Sequence, residues 1–317
     1  MGLSSFYQAV TDKIDKFEEN PKSPSVYAVI GSFFYVMVGL CVKTLHGISA
    51  TQILYFRCII SMVLNTFIIK IGKHDIYPQN KEIFKLLMMR CVFGGIAHVC
   101  YYQGIKLLNL GDAQAIFLTS PIWTSLLASI WLKEKLQPSV ISSIITSFIG
   151  IVLIVKPPFL LSFLGLQVNS SSLNDPYAIL GLAASIAFSF LESLSALLIR
   201  SLSNSVKVTA VIQYVYISGF ALNGSFMIMS GQFNAEVYSF SIFPIVFSVA
   251  LLNFLAQLFY SRGLQTGKSQ DVVPFSYSQL VMSFIVDIVI FNKELNILSL
   301  IGSGLILLGN YKILFRK

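Results

Sequence analysis

Residues 138–155 read PSVISSIITSFIGIVLIV, a run in which no side chain carries a charge. At a rise of about 1.5 Å per residue, a helix of this length covers most of the roughly 30 Å of hydrocarbon in a bilayer. Working outward, further runs of similar length and character lie at 25–42, 50–69, 86–105, 112–132, 177–199, 208–229, 242–261, 272–291 and 297–315. In lipid an unpaired backbone N–H or C=O has no water to turn to, so runs this long are expected to be helical. A β-barrel would alternate polar and apolar residues, which these runs do not. The expected fold class is all-α and integral to the membrane, with ten transmembrane helices.

Composition agrees. Of 317 residues, 55% are hydrophobic and 11% charged, with a mean hydropathy of +0.76, whereas soluble domains carry about 25% charged residues. Residues 1–24 hold Asp12, Lys13, Asp15, Lys16, Glu18, Glu19 and Pro21 and lack the apolar core of a signal peptide. They read as a cytosolic tail, either solvated or forming an amphipathic helix on the membrane between Ser4 and Phe17. The net charge of +8 comes with no basic cluster interleaved with aromatics, so a nucleic-acid partner is not expected. It follows the membrane instead. With the N-terminus cytosolic, fifteen of the 22 Lys and Arg fall in the tails or cytosolic loops, while Lys43, Lys106, Lys156 and Lys293 fall on the other side and Arg57, Arg90 and Lys312 lie within spans. Both termini are thus expected in the cytosol of a plasma-membrane or endomembrane protein. The opposite side would hold the 157–176 linker, whose Asn169-Ser170-Ser171 is an N-glycosylation sequon close to the membrane.

All four cysteines, Cys41, Cys58, Cys91 and Cys100, lie within or at the edge of spans, where a disulfide framework is not expected. Cys91 and His98 share a face of the third span, but two ligands without a third do not make a zinc site. Neither a metal nor a cofactor is expected.

The turn-rich segment after Lys156 separates five spans from five. An ungapped shift of the chain along itself places Tyr101 on Tyr260, Gly104 on Gly263, Asp112 on Asp271, Leu136 on Leu295 and Gly150 on Gly309. The domain reading is a tail (1–24), a first five-helix repeat (25–156), a linker (157–176) and a second repeat (177–317). Because each repeat has an odd number of spans, the second enters the membrane from the opposite side. Inverted repeats of this kind are a recurring plan of secondary transporters.

The first half carries specific motifs: Arg90-Cys-Val-Phe-Gly-Gly-Ile, Tyr101-Tyr102-Gln103-Gly104, Gly111-Asp112-Ala113-Gln114-Ala115-Ile116, Thr119-Ser120-Pro121-Ile122-Trp123, Leu132-Lys133-Glu134-Lys135-Leu136 and Val155-Lys156-Pro157-Pro158. In these it resembles the drug/metabolite transporter superfamily, more narrowly the EamA-type proteins and the G branch of solute carrier family 35. The resemblance implies ten helices, cytosolic termini and alternating access to a central cavity. The second half departs from the pattern: Leu280 stands where the first half has Pro121, and Asn292-Lys293-Glu294 replaces the usual Gly-Glu. The kink of the ninth span is therefore expected at Pro274.

Ionisable and polar residues within the spans are the candidate site, because each needs a partner or water in the bilayer. The third span sets Gly94, His98, Tyr101 and Tyr102 on one face, and the eighth sets Asn253, Gln257, Tyr260 and Ser261 at the equivalent positions. The ninth adds Ser276, Gln279, Ser283 and Asp287, the fourth Ser120 and Thr124, the sixth Ser185, Ser189 and Glu192. Two readings stand side by side: walls of a midplane cavity, or polar glue between helices. On the first, His98, Tyr101, Tyr102, Ser120, Glu192, Gln257, Tyr260 and Gln279 bind substrate. Arg57, Arg90, Glu192 and Asp287 are the candidates for charge pairing or coupling, and Arg90 has snorkelling to the headgroups as its alternative. Gly302, Gly304 and Gly309 fit tight packing of the last span, within the chain or at a homodimer interface.

No nucleophile elbow, phosphate-binding glycine loop or soluble catalytic domain is present, so an enzyme is not expected. A channel would show a filter sequence or a charged ring. The expectation is a transporter in the lipid bilayer. It would move a small polar organic solute, an organic anion or nucleotide-sugar-like metabolite, with a coupled proton or an exchanged solute. Its rival is a non-transporting polytopic protein acting as a binding or regulatory partner.

Overall fold

Five helices of the chain open on a proline in their first turn: Pro24, Pro121, Pro138, Pro176 and Pro244. A residue with no N–H and a preset φ loses nothing there, since that N–H would have no helical partner. The computed structural model of the chain describes residues 12–14, 16–43, 45, 50–78, 80–107, 116–133, 135, 137–155, 176–203, 205–231, 242–289 and 297–314. Among them are ten helices of twelve residues or more and no strand. They are α1 (Ser23–Lys43), α2 (Ala50–Ile71), α3 (Lys81–Leu107), α4 (Ser120–Trp131), α5 (Pro138–Val155), α6 (Pro176–Ser201), α7 (Val208–Ser230), α8 (Phe243–Thr266), α9 (Ser278–Val289) and α10 (Ile297–Leu314). Six of the described helices, α1, α2, α3, α6, α7 and α8, are long and apolar enough to cross a membrane.

Two spans are broken, the ninth at the proline where the sequence places its kink and the fourth where the sequence reads a continuous run. The fourth, expected over 112–132, is α-helical from Ser120, after a turn in which the Thr119 hydroxyl donates to the Ile116 carbonyl at 2.7 Å. The ninth, expected over 272–291, begins as a 3-10 turn, Val273–Tyr277, and becomes α-helical at Ser278. Pro121 and Pro274 are the cause in each case, because neither can donate to the carbonyl one turn earlier. Residues 112–115 and 290–291 lie outside the described residues.

The chain divides into two compact units, residues 1–95 with 198–267 and residues 96–197 with 268–317. Each draws helices from both halves of the sequence. In the first unit α8 lies along α1, and α2 against α7 and α8. Gly31 permits the α1–α8 contact, since a Cβ there would come within 3.0 Å of the Tyr260 backbone nitrogen. A polar zip joins α2 to α7: the Asn65 amide donates to Thr209 O at 2.8 Å and to Gln213 Oε1 at 2.7 Å, and Gln213 donates to Thr66 Oγ1 at 3.1 Å. The segment before α1 is tied down as well. Arg262 donates through two nitrogens, each at 2.7 Å, to the two carboxylate oxygens of Glu18, which also accepts from the Tyr27 hydroxyl at 3.1 Å.

The second unit is built on α5 packed along α10. Ser143 donates to Gly309 O at 2.6 Å, and Ile151, Tyr277, Val281 and Ile306 form a buried apolar cluster. In both units the polarity is that of a protein in lipid. Ser61, Asn65, Ser143, Ser185 and Ser189 are fully buried, while Phe67, Val99, Ile130, Ile228 and Leu300 are exposed. Small polar residues inside and large apolar ones outside suit a hydrocarbon solvent.

Of the glycines in the last span, Gly302 and Gly309 meet α5, whereas a Cβ at Gly304 would meet nothing within 4 Å. A Cβ at Gly150 would lie 2.5 Å from Gly302 O and 2.9 Å from Ile306. Gly150→Ala is therefore expected to lower the thermal midpoint in detergent, at a cost of about 1–3 kcal/mol, while Gly304→Ala leaves it in place. Equal effects of the two substitutions would contradict this account of the α5–α10 contact.

Candidate functional site

In the first unit the expected polar face of α8 meets α1. The Tyr35 hydroxyl donates to Gln257 Oε1 at 2.8 Å, and Gln257 Nε2 donates to Ser261 Oγ at 3.0 Å. The Tyr35 and Tyr260 rings meet edge to face with centroids 6.4 Å apart. Tyr216 on α7, 2% exposed, shares its surroundings with Arg57, Cys58, Ser61 and Tyr35. Arg57, Gln257 and Tyr260, singled out from the sequence, thus belong to one unit together with Tyr35 and Tyr216. The latter two lie on helices whose spacing pattern gives no hint of the contact, since Tyr35 is 222 residues from its partner.

Arg90 also belongs to this unit. The sequence left it snorkelling as an alternative; its side chain is only 5% exposed and sits on the buried face of α3 with Leu87, Cys91 and Gly94.

The second unit holds Tyr101, Ser120, Glu192 and Gln279. Tyr101 is part of an aromatic trio, its ring 4.8 Å from Phe117 and 5.2 Å from Phe188, which are 4.6 Å from each other. Gly104 keeps this packing open, because a Cβ there would come within 2.5 Å of Ser185 Oγ and 3.0 Å of Phe117. Ser120 takes part through its carbonyl, which accepts from Ser193 Oγ at 2.8 Å, and Thr119 Oγ1 meets Ser189 Oγ at 2.8 Å. Glu192 and Gln279 are half-buried. The side chains of His98, Tyr102 and Asp287 lie outside the described residues.

Aromatic rings, hydroxyls, an amide and arginines offer packing and hydrogen bonding for a small polar molecule. Among the described residues no group of three His, Cys, Asp or Glu could hold a metal ion.

Near the ends of α2 and α8 the first unit is strongly basic. His74 follows α2, whose last turn closes with Lys73 at a φ of 46° and the His74 N–H on Ile69 O at 3.0 Å. This is the arrangement in which glycine is usual. His74 Nδ1 lies 2.9 Å from Thr209 Oγ1, and burial, with Lys207 and Arg262 nearby, holds the imidazole below its ordinary range.

The EamA-like transporter family profile matches residues 22–156 and again residues 178–315. Solute carrier family 35 member G1 from Homo sapiens is 27% identical over 270 residues, which are 84% of this chain and 72% of its own length. The pseudopaline exporter CntI of Pseudomonas aeruginosa is 27% identical over 166 residues, 52% of this chain and 54% of its own. A crystal structure 15% identical in sequence matches with a TM-score of 0.76, covering 92% of this chain and 96% of that one, and so shares the fold. Apolar helices with polar interiors and this kinship define a multi-pass membrane transporter. The chain belongs to the EamA-like transporter family.

His74 gives a pH prediction. Folded His74 resists protonation, so below the ordinary histidine pKa of about 6.5 the unfolded chain takes up a proton that the folded one refuses, and stability falls as pH falls. His74→Gln should flatten the decline in thermal midpoint between roughly pH 7.5 and 5.5. Parallel wild-type and variant curves would show that His74 is not the titrating group.

Proposed function

We propose that the chain is a ten-span transporter of two inverted five-helix repeats, 25–156 and 177–317. It moves a small polar organic solute by alternating access, with organic anions favoured over neutral solutes. The observation that carries this reading is the double family match, each copy covering one half of the chain. The packing supports it: α2 lies against α7 and α5 against α10, and each pair joins equivalent spans of the two halves. Internal repeats with a site between them are how such proteins expose a substrate to one side at a time.

The substrate would be bound by His98, Tyr101, Tyr102, Ser120, Glu192, Gln257, Tyr260 and Gln279. Aromatic rings would pack on the solute and polar groups orient it. Arg57 and Arg90 supply positive potential, while Glu192 and Asp287 are the groups suited to carry a coupled proton. Both termini face the cytosol.

The rival reading, a non-transporting binding partner, draws on the internal bonds of Gln257 and Ser193, which suit a static bundle. Kinship to a protein named as an exporter favours transport.

Purified protein in liposomes, screened against a metabolite library, is expected to show saturable uptake of at least one solute. Single Ala replacements of His98, Tyr101, Gln257 and Tyr260 should then weaken apparent affinity or turnover about tenfold or more, as expected when a buried hydrogen bond or ring contact of about 1.4 kcal/mol is lost. Four variants with normal kinetics would move the site elsewhere. For topology, a Ser171→Cys variant should react with an impermeant thiol reagent from the non-cytosolic side; labelling from the cytosolic side alone would reverse the orientation.

A further inference from the structure

We infer that Arg90 is the anion anchor of the solute site, receiving a carboxylate or other oxyanion of the transported molecule within the first unit. This rests on the transporter reading above and adds the residue that receives the anion. Arg90 is 5% exposed, and its Nε is buried without a hydrogen-bond partner. No ion pair to it occurs among the described residues. The sequence explains why: α1, α2, α7 and α8 contain no Asp or Glu. The acid of α3 in this unit, Glu82, is exposed and eight residues away, about 12 Å along the helix.

The other arginines at the ends of this unit are treated differently. Arg262 is held by the Glu18 carboxylate, and Arg200 donates to Gln265 O at 2.7 Å. Where the unit uses an arginine structurally, it supplies an acceptor. An enclosed guanidinium without an anion is unfavourable, and a bound oxyanion offsets this through charge-assisted, often paired, hydrogen bonds.

A small solute fits better than a lipid phosphate. The outward face of α3 is formed by Phe84, Val92, Ile96 and Val99, all exposed, and Arg90 lies on the opposite side. The flank of α3 between these two sides meets α7: Cys91 lies near Ser218, and a Cβ at Gly95 would come within 2.6 Å of Leu222. Arg90 also lies one turn from Gly94 on the stripe that the sequence assigns to the cavity.

The test uses purified full-length protein, with Lys85→Gln, an exposed charge of the same helix, as control. In anion-poor buffer Arg90→Gln should match or exceed the wild-type thermal midpoint, since it removes an unbalanced buried charge. A large fall would show Arg90 to be a structural tie and overturn the inference. Acetate, succinate, glutarate and inorganic phosphate are then titrated at constant ionic strength, with succinamide as the neutral analogue of succinate. At least one anion should raise the midpoint saturably in wild type and in Lys85→Gln but not in Arg90→Gln. No response to any anion, or a response that survives Arg90→Gln, overturns it. Arg90-dependent stabilisation by phosphatidylglycerol vesicles alone would make the ligand a lipid headgroup and overturn the solute assignment.

In phosphatidylcholine liposomes, Arg90→Gln should raise the half-saturation concentration of an acidic substrate roughly tenfold to a hundredfold, with partial recovery in Arg90→Lys. Saturable uptake indifferent to Arg90 would leave the transporter standing and remove the anchor. Arg90-dependent anion binding without uptake of any solute would keep the anchor and remove the transporter.

Discussion

The hydrocarbon interior of a bilayer provides no water, so every polar group within it must find a partner in the protein. That constraint orders this molecule. It requires helices, places serines and asparagines in the helix contacts, and leaves phenylalanines, isoleucines and leucines facing outward. The Asn65 amide donates to Gln213 and to the Thr209 carbonyl, and Gln213 in turn to Thr66, so these bonds run between helices rather than to solvent. The same rule makes an enclosed arginine with an unmatched nitrogen informative here, where in a water-soluble protein a nearby solvent molecule would suffice.

Tight helix contact depends on where side chains are missing as much as on where they are present. Gly31 admits α8 to α1, Gly104 admits the Phe117 ring, and Gly150 and Gly309 bring α5 and α10 to backbone distance. With little hydrophobic drive between helices in lipid, packing at this range and interhelical hydrogen bonds carry the association. Ser143 and Ser61, each donating to a carbonyl on a neighbouring helix, show both effects at one place.

Much of the architecture was legible in the sequence because it follows from run length and spacing. The helical class, the duplicated halves and the proline break at Pro274 come from residues acting locally. What was not legible depends on contacts between distant segments. Tyr35 and Tyr216 carry no pattern that marks them, and their surroundings appear only once α1, α7 and α8 are assembled. Arg90 was visible as a charge, but its enclosure was not, since position along a span does not reveal which side of the helix faces protein. The fourth span shows the limit of run length: its apolar run continues through residues where Pro121 interrupts the α-helical ladder.

The Glu18–Arg262 clamp joins residues 244 apart in the chain, and this bears on how the protein is made. Glu18 leaves the ribosome before α1, and Arg262 only with the end of α8. During that interval the acidic segment before α1 has no partner, and α1 itself lacks the helix against which it finally rests. The first unit is therefore closed late, by the arrival of α8, and a nascent chain halted in the linker between the halves holds α1, α2 and the start of α3 in an unfinished state. Completion of the first unit is in this sense a checkpoint set by the order of synthesis, with the segment before α1 locked by a helix made seven helices later.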